Sequence, residues 1–514
     1  MSRVASLTTL LFFVSACAAD DVGPADSGLT TVADSTGEGD GDGDAEPFVP
    51  VPARGITITG VSANHGINVF IAEGDQWVDG SGRIGRLASG RDTLIRVYHE
   101  LDPGWVEREI EARLEITLEG GEVVEFTTKK VLVTDTSDKY LDGGLWFALP
   151  EAEGYTDPAV QFQVSLWEVA PGGEAMEEHA TVAPANGPGL IGFENIPMEM
   201  NVVYVPFTYN GTTPDVGNAD KMAIINNEIY QTEPIQQLNT TIDDVRSSGA
   251  QFDVCSMLGT MNQIWSQAGA PSNVYYVGLV DTGASSGTMG CALINANFNA
   301  DVWVDNSMGV TATSIVHEIG HNQGLNHVEC NDMGNPSAGN DPSYPDHPEG
   351  RTLNTGFGIR DFKMYPGDTT IDYMSYCTKR WVSPWTWAKV WTRIQAFTAQ
   401  GSPLIVDPEP VMRFGMYPSG STEWFTALDR LDPERVPAAN TRVEFVLDGE
   451  VVAREPALLD TLTDDVSVWV TVRMPGGDAE AAFDTVRYVA ADGTVHEARR
   501  DEVSFFTQLD PPPQ

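Results

Sequence analysis

The chain is expected to fold as a central α+β domain, residues 196–400, flanked by two all-β, sandwich-like domains at 51–195 and 401–514. Three observations predict this. Segments at both ends alternate apolar with polar residues at a period of two, as half-buried strands do. The middle mixes longer apolar strands with helical periodicity, which sets helices against a sheet. An eleven-residue stretch in that middle, His317-Glu-Ile-Gly-His-Asn-Gln-Gly-Leu-Asn-His327, holds three of the chain's eight histidines.

A length of 514 residues is enough for about three domains with ample buried core. The net charge of −45 argues against nucleic acid or an anionic membrane surface as partner, because either would repel it. Acidity of this size is read as keeping the protein soluble.

Residues 1–17 have the order of an export signal: Arg3, then apolar Leu7 to Val14, then Val14-Ser-Ala-Cys17. The apolar run is too short to span a bilayer. The Val-Ser-Ala-Cys ending resembles a bacterial lipobox, which implies that Cys17 is lipidated and is the only membrane attachment. The rival is an ordinary signal peptide cut near Ala18 or Ala19. Residues 18–50 carry many Asp and Glu and no basic residue, so they are expected to be a disordered tether. Asp40-Gly-Asp-Gly-Asp44 hints at a calcium loop, but Ala45 stands where such a loop needs glycine.

Strands are expected at Ile56–Thr59, Thr93–Tyr98, Leu114–Leu118, Val123–Phe126 and Gln161–Trp167, with Gly-Gly and Asp-Gly turns between several of them. In the middle segment, Val202–Phe207 and Val274–Val280 read as buried strands. Cys291–Ile294 reads as an edge strand, and Val302-Trp-Val304 as a short one. Helices are expected at 218–230, 255–267 and 385–399, and over the histidines from a start between Ser307 and Thr311. Strands return at Thr441–Val446, Val466–Val472 and Thr485–Val489.

On a helix, His317 and His321 project from one face, one turn apart. Gly324 permits a left-handed stop, after which His327 can return as a third ligand. Three imidazoles with an open position make a catalytic rather than a structural zinc site, and Glu318 beside the first ligand is placed to act as a base. Apart from Cys17, the cysteines are Cys255, Cys291, Cys330 and Cys377, all in this segment. Four exported cysteines allow three pairings, of which Cys255–Cys291 with Cys330–Cys377 is expected. The Asp-rich segment 331–346 makes calcium a second candidate cation.

Taken with Ile371-Asp-Tyr-Met-Ser-Tyr-Cys377, the histidine stretch resembles the metzincin clan of zinc metallopeptidases, and among them bacterial secreted or lipoprotein members. The resemblance covers 196–400 and implies a metzincin-like catalytic domain. It implies zinc on His317, His321 and His327, Glu318 as general base, Met374 as the structural methionine of the turn beneath the metal, and Tyr376 as an oxyanion-stabilising residue. The substrate would be a protein or glycoprotein lying along the edge strand near 291–298. Val328 and Glu329 depart from the residues usual after the third histidine in the best-known branches. The alternative is a surface adhesion or glycan-binding protein with a vestigial metal site.

Overall fold

The computed structural model describes residues 48–151, 154–247, 253–283, 288–330, 340–345, 348–399, 406–432, 434–478 and 481–506. Cys17, the export signal and nearly all of the acidic tether lie outside the described residues, as does most of the segment 331–346 considered for calcium.

Two antiparallel sheets occupy the N-terminal part. One contains β1 (Ile56–Asn64), β2 (Asn68–Glu73), β3 (Thr93–Leu101) and β6 (Leu145–Leu149) in the order β2-β1-β3-β6. The other contains β4 (Arg108–Thr117), β5 (Val123–Leu132) and β7 (Gln161–Glu168) in the order β7-β4-β5. Along β7 the even-numbered residues Phe162, Val164 and Leu166 are buried, so one face of that sheet supplies the core.

The middle of the chain forms a mixed sheet from β8 (Glu199–Thr208), β9 (Gln237–Ile242), β10 (Val274–Val280), β11 (Gly290–Ala292) and β12 (Phe298–Val302). Its order is β9-β8-β10-β12-β11, with the first four parallel and β11 antiparallel at the edge. The strand expected at 302–304 therefore lies earlier. The chain leaves the sheet after Val302, where the Val304 N–H turns to the Thr311 hydroxyl at 2.8 Å.

Among the described residues, four α-helices accompany this sheet: α1 (Ala219–Thr232), α2 (Met257–Gln267), α3 (Met308–Asn322) and α4 (Pro384–Thr398). Asn218 caps α1 by accepting from the N–H groups of Asp220 and Lys221. Ser383 caps α4, with Pro384 in the first turn where its missing N–H is harmless. The period of two in the strands sorts the helices. Val202, Tyr204, Val277 and Leu279 pack with α1, α3 and α4, while Val205, Phe207, Tyr276 and Val280 pack with α2.

Two further four-stranded sheets follow. The first is β14-β13-β18-β17, built from β13 (Glu409–Met416), β14 (Thr422–Asp429), β17 (Leu458–Thr461) and β18 (Val468–Arg473). The second is β16-β15-β19-β20, built from β15 (Arg442–Leu447), β16 (Glu450–Pro456), β19 (Thr485–Val489) and β20 (Val495–Arg499). The first is covered on both faces: Met412, Phe414 and Val470 pack toward the second, and Val411, Phe425 and Trp469 join the core around α2.

Hydrophobic cores thus run across the junctions at both ends of the middle segment. Polar contacts reinforce the N-terminal junction. The buried guanidinium of Arg91 donates to the carbonyls of Tyr230, Glu233 and Ile235 around the end of α1, and to that of His65. A cation there satisfies carbonyls that the helix leaves over and suits its negative end.

Candidate metal centre

Helix α3 carries His317 and His321 on its inner face, 3% and 1% exposed. The helix stops at Gly324, whose φ of +93° only glycine adopts without strain, and the Leu325 N–H closes the turn onto the Gly320 carbonyl. That reversal brings His327 back. The Nε2 atoms of His317 and His327 each lie 3.1 Å from His321 Nε2.

The outer nitrogens explain the orientation. His317 Nδ1 is 2.9 Å from the Tyr373 carbonyl and His321 Nδ1 is 2.8 Å from the Leu325 carbonyl. A carbonyl only accepts, so each Nδ1 carries the proton and each Nε2 turns a lone pair inward. Burial, reinforced by mutual repulsion, holds the pKa of both imidazoles well below the usual histidine range. Converging lone pairs repel one another unless a cation sits among them. Nitrogens bound tetrahedrally to one zinc at ~2.0–2.1 Å would stand roughly 3.3 Å apart, close to the observed spacing. The three histidines could hold a metal ion, and the donor set fits zinc.

Glu318 is 5% exposed and lies against the edge strand, where a side chain at Gly290 would come within 2.6 Å of its Cγ and Oε1. The Thr463 hydroxyl, from the loop joining β17 to β18, donates to Glu318 Oε2 at 3.0 Å. Burial, and then the nearby Asp301 carboxylate, push the Glu318 pKa well above the carboxylate range. Asp301 itself, on β12, is fully buried, accepts from the Ser314 hydroxyl at 2.7 Å and is pushed up by burial. Burial thus favours the neutral form of both carboxyls over the charged one.

Met374 is fully buried beneath α3, where a Cβ on Gly320 would overlap its sulfur. Asp372 shapes that turn: one of its oxygens accepts from the Met374 N–H at 2.9 Å, the other from the Thr386 hydroxyl at 2.6 Å. Tyr376 stands over the cluster with its ring centroid 4.5 Å from that of His327. Its hydroxyl donates to the Thr463 carbonyl at 2.8 Å.

Cys330 and Cys377 form a disulfide that ties the chain after His327 to the end of this turn, and Cys255–Cys291 ties β11 to the start of α2. Asp464 lies near Cys255 and Cys291 as a second grouping of metal-ligand types, but both sulfurs there are spent on the disulfide. The disulfides point to an extracellular or exported protein. Among the described residues, no helix is long and apolar enough to cross a membrane.

Two cavities open at the centre. One of about 580 Å³ is bounded by Met289, Gly290, His317, Glu318, Tyr376, Arg380, Thr463 and Asp464. Another of about 230 Å³ is bounded by Ile294, His321, His327 and residues 461–463 and 465. Residues 293–297, expected as part of the edge strand, are instead a turn beyond β11.

The structure brings His317, Glu318, His321, His327, Met374 and Tyr376 together. Sequence reading missed Asp301 and Thr463. The first had a signal: Asn299 and Asp301 are polar at a spacing of two inside an apolar strand, on the face that meets Asn322 and Ser314 of α3. Thr463 had none, because only the docking of the last two sheets places it here.

Neither a protein-family model nor a curated protein matches the sequence. Among solved structures, metalloproteinase-II from Bacteroides fragilis aligns over 52% of this chain and 77% of its own, at 12% identity and a TM-score of 0.19. A putative beta-galactosidase from Bacteroides fragilis covers 89% of this chain and 76% of its own, at 9% identity and a TM-score of 0.15. The Parabacteroides merdae beta-glucuronidase covers 89% and 65%, at 7% identity and a TM-score of 0.15. Scores this low carry no inference about chemistry, which rests on the geometry of the centre.

Proposed function

We propose that the protein is a zinc-dependent endopeptidase of metzincin type that hydrolyses peptide bonds in extracellular proteins or glycoproteins. One observation carries the reading: three imidazole nitrogens converge beside a buried glutamate in a centre bordered by open cavities. His317, His321 and His327 would hold the ion. Bound there, zinc supplies a Lewis acid that polarises the scissile carbonyl and acidifies water. Glu318 takes the proton of the attacking water and passes it to the leaving amine. Tyr376 would donate to the oxyanion, a reading supported by its hydroxyl's hydrogen bond to the Thr463 carbonyl. Met374 keeps the ligand helix at its depth from below.

The test is Glu318→Ala, assayed on casein and mucin with and without chelator. Zinc content should match the wild type, while chelator-sensitive cleavage falls by about 10²–10⁴-fold. Retained turnover would sink the mechanism. Absence of any chelator-sensitive cleavage by the wild type and by the hairpin variant described next would favour the adhesion or glycan-binding alternative.

A further inference from the structure

We propose that the tip of the β17–β18 hairpin, residues 463–466, is a resident occupant of the substrate cleft, so that the resting protein is latent and substrates enter by displacing it. This deepens the peptidase reading and rests on it.

Thr463 makes the contacts that an extended peptide would need. Ala292 ends the edge strand β11, and an incoming strand must pair with its outward N–H and carbonyl. Both are taken: the Ala292 N–H donates to the Thr463 hydroxyl oxygen at 2.7 Å, and the Thr463 N–H donates to the Ala292 carbonyl at 3.3 Å. The Thr463 carbonyl takes the donor of Tyr376, and its hydroxyl proton takes Glu318 Oε2. Edge strand, tyrosine and glutamate are therefore engaged by one residue, itself 6% exposed.

Thr463 also forms a wall of both cavities, so the tip divides a cleft that an extended chain would need to cross. The tip is built as a fixed object. The Leu462 N–H bonds the Ser467 carbonyl at 2.8 Å, and Asp464 accepts from the N–H groups of Val466 and Ser467 and from the Ser467 hydroxyl. Leu462 is anchored in the core around α2, so the sheet beneath cannot leave with the tip. Opening is a movement of the turn alone.

A competing role for Thr463 is to position Glu318, and the two roles predict opposite signs. Replacing Thr463–Val466 by Asn-Gly, a two-residue turn that suits the hairpin, withdraws the tip without disturbing β17 or β18. In a Glu318→Gln background, which blocks turnover and keeps an oxygen facing residue 463, binding of fluorescein-labelled β-casein is followed by anisotropy. Freed from competition with several internal hydrogen bonds, the shortened hairpin should bind casein on the order of tenfold more tightly. With Glu318 intact, kcat/KM should rise by a similar factor at equal zinc content.

Unchanged binding, or lower kcat/KM at equal zinc, would overturn the plug, the latter making Thr463 a positioning residue. Tighter binding with no cleavage by any variant would uphold the plug and remove the peptidase reading. If the shortened hairpin fails to melt cooperatively, Thr463→Val on the intact loop replaces it. That variant deletes both hydroxyl hydrogen bonds, and it should bind casein severalfold more tightly, while equal affinity would refute the proposal.

Discussion

Glu233 shows how much a single buried group can decide. It sits at the end of α1, fully buried, accepting from the Gln323 amide at 2.9 Å and the Tyr373 hydroxyl at 3.3 Å. It therefore links the helix of two histidine ligands to the methionine turn. Burial pushes its pKa up from 4.5 to about 7 despite those hydrogen bonds. The sign follows from linkage: between the two values the folded state holds the proton that the unfolded state has lost. Stability therefore falls as pH rises from 4.5 to about 7 and is level above. The loss is about 3 kcal/mol. Glu233→Gln cannot ionise and should escape it, and Gln323 can turn its amide to present Oε1 to the new donor. Urea unfolding at about pH 5 and about pH 8 checks this. The variant should gain up to about 3 kcal/mol on the wild type between the two, and a pH-independent difference would contradict the account.

At the scale of elements, the ligand helix is defined by what it lies on. Gly320 in the last turn of α3 costs helix propensity, and the Met374 sulfur beneath it explains why no larger residue stands there. Gly320→Ala should lose about 1–3 kcal/mol through overpacking and should retain less zinc after dialysis, because His317 and His321 are lifted together. Gly309, on the same helix, faces open space. Gly309→Ala should instead gain about 0.5–1 kcal/mol, so equal effects at the two sites would show that the sulfur contact is not responsible. The start of α1 and the end of α3 could be read locally from Asn218 and Gly324, since caps act within a turn. The end of β12 could not, because what draws the chain from the sheet is the Thr311 hydroxyl on the next helix.

For the whole molecule, the outer sheets matter by where they dock. The N-terminal pair caps α1 through Arg91, and the C-terminal pair delivers Thr463 to Glu318. Both disulfides hold the histidine-bearing segment, one at the edge strand and one beyond the third histidine. That segment would work outside the cell, where thiols oxidise. We further propose attachment to the bacterial cell envelope through a lipid on Cys17. Cys17→Ala should move the protein from the membrane to the soluble fraction of expressing cells, and an unchanged distribution would exclude that anchor.

The sequence by itself determined the histidine triad that could hold a metal and the adjoining glutamate. Helical spacing, a glycine stop and residue chemistry act over a few positions, whereas four cysteines allowed three pairings until the fold joined Cys255 to Cys291 and Cys330 to Cys377. It also carried the alternation from which the strands were read, since a period of two is a local consequence of the pleat. Tertiary structure alone decided that Asp301 lies beside Glu318, that Gly320 must clear Met374, and that Thr463 closes over the centre. Each of these joins residues far apart in the chain, through docked faces whose apolar patterns say that they are buried but not against what. The triad that could hold zinc was written in eleven residues, and the residue that occupies its cleft came from 136 positions beyond His327.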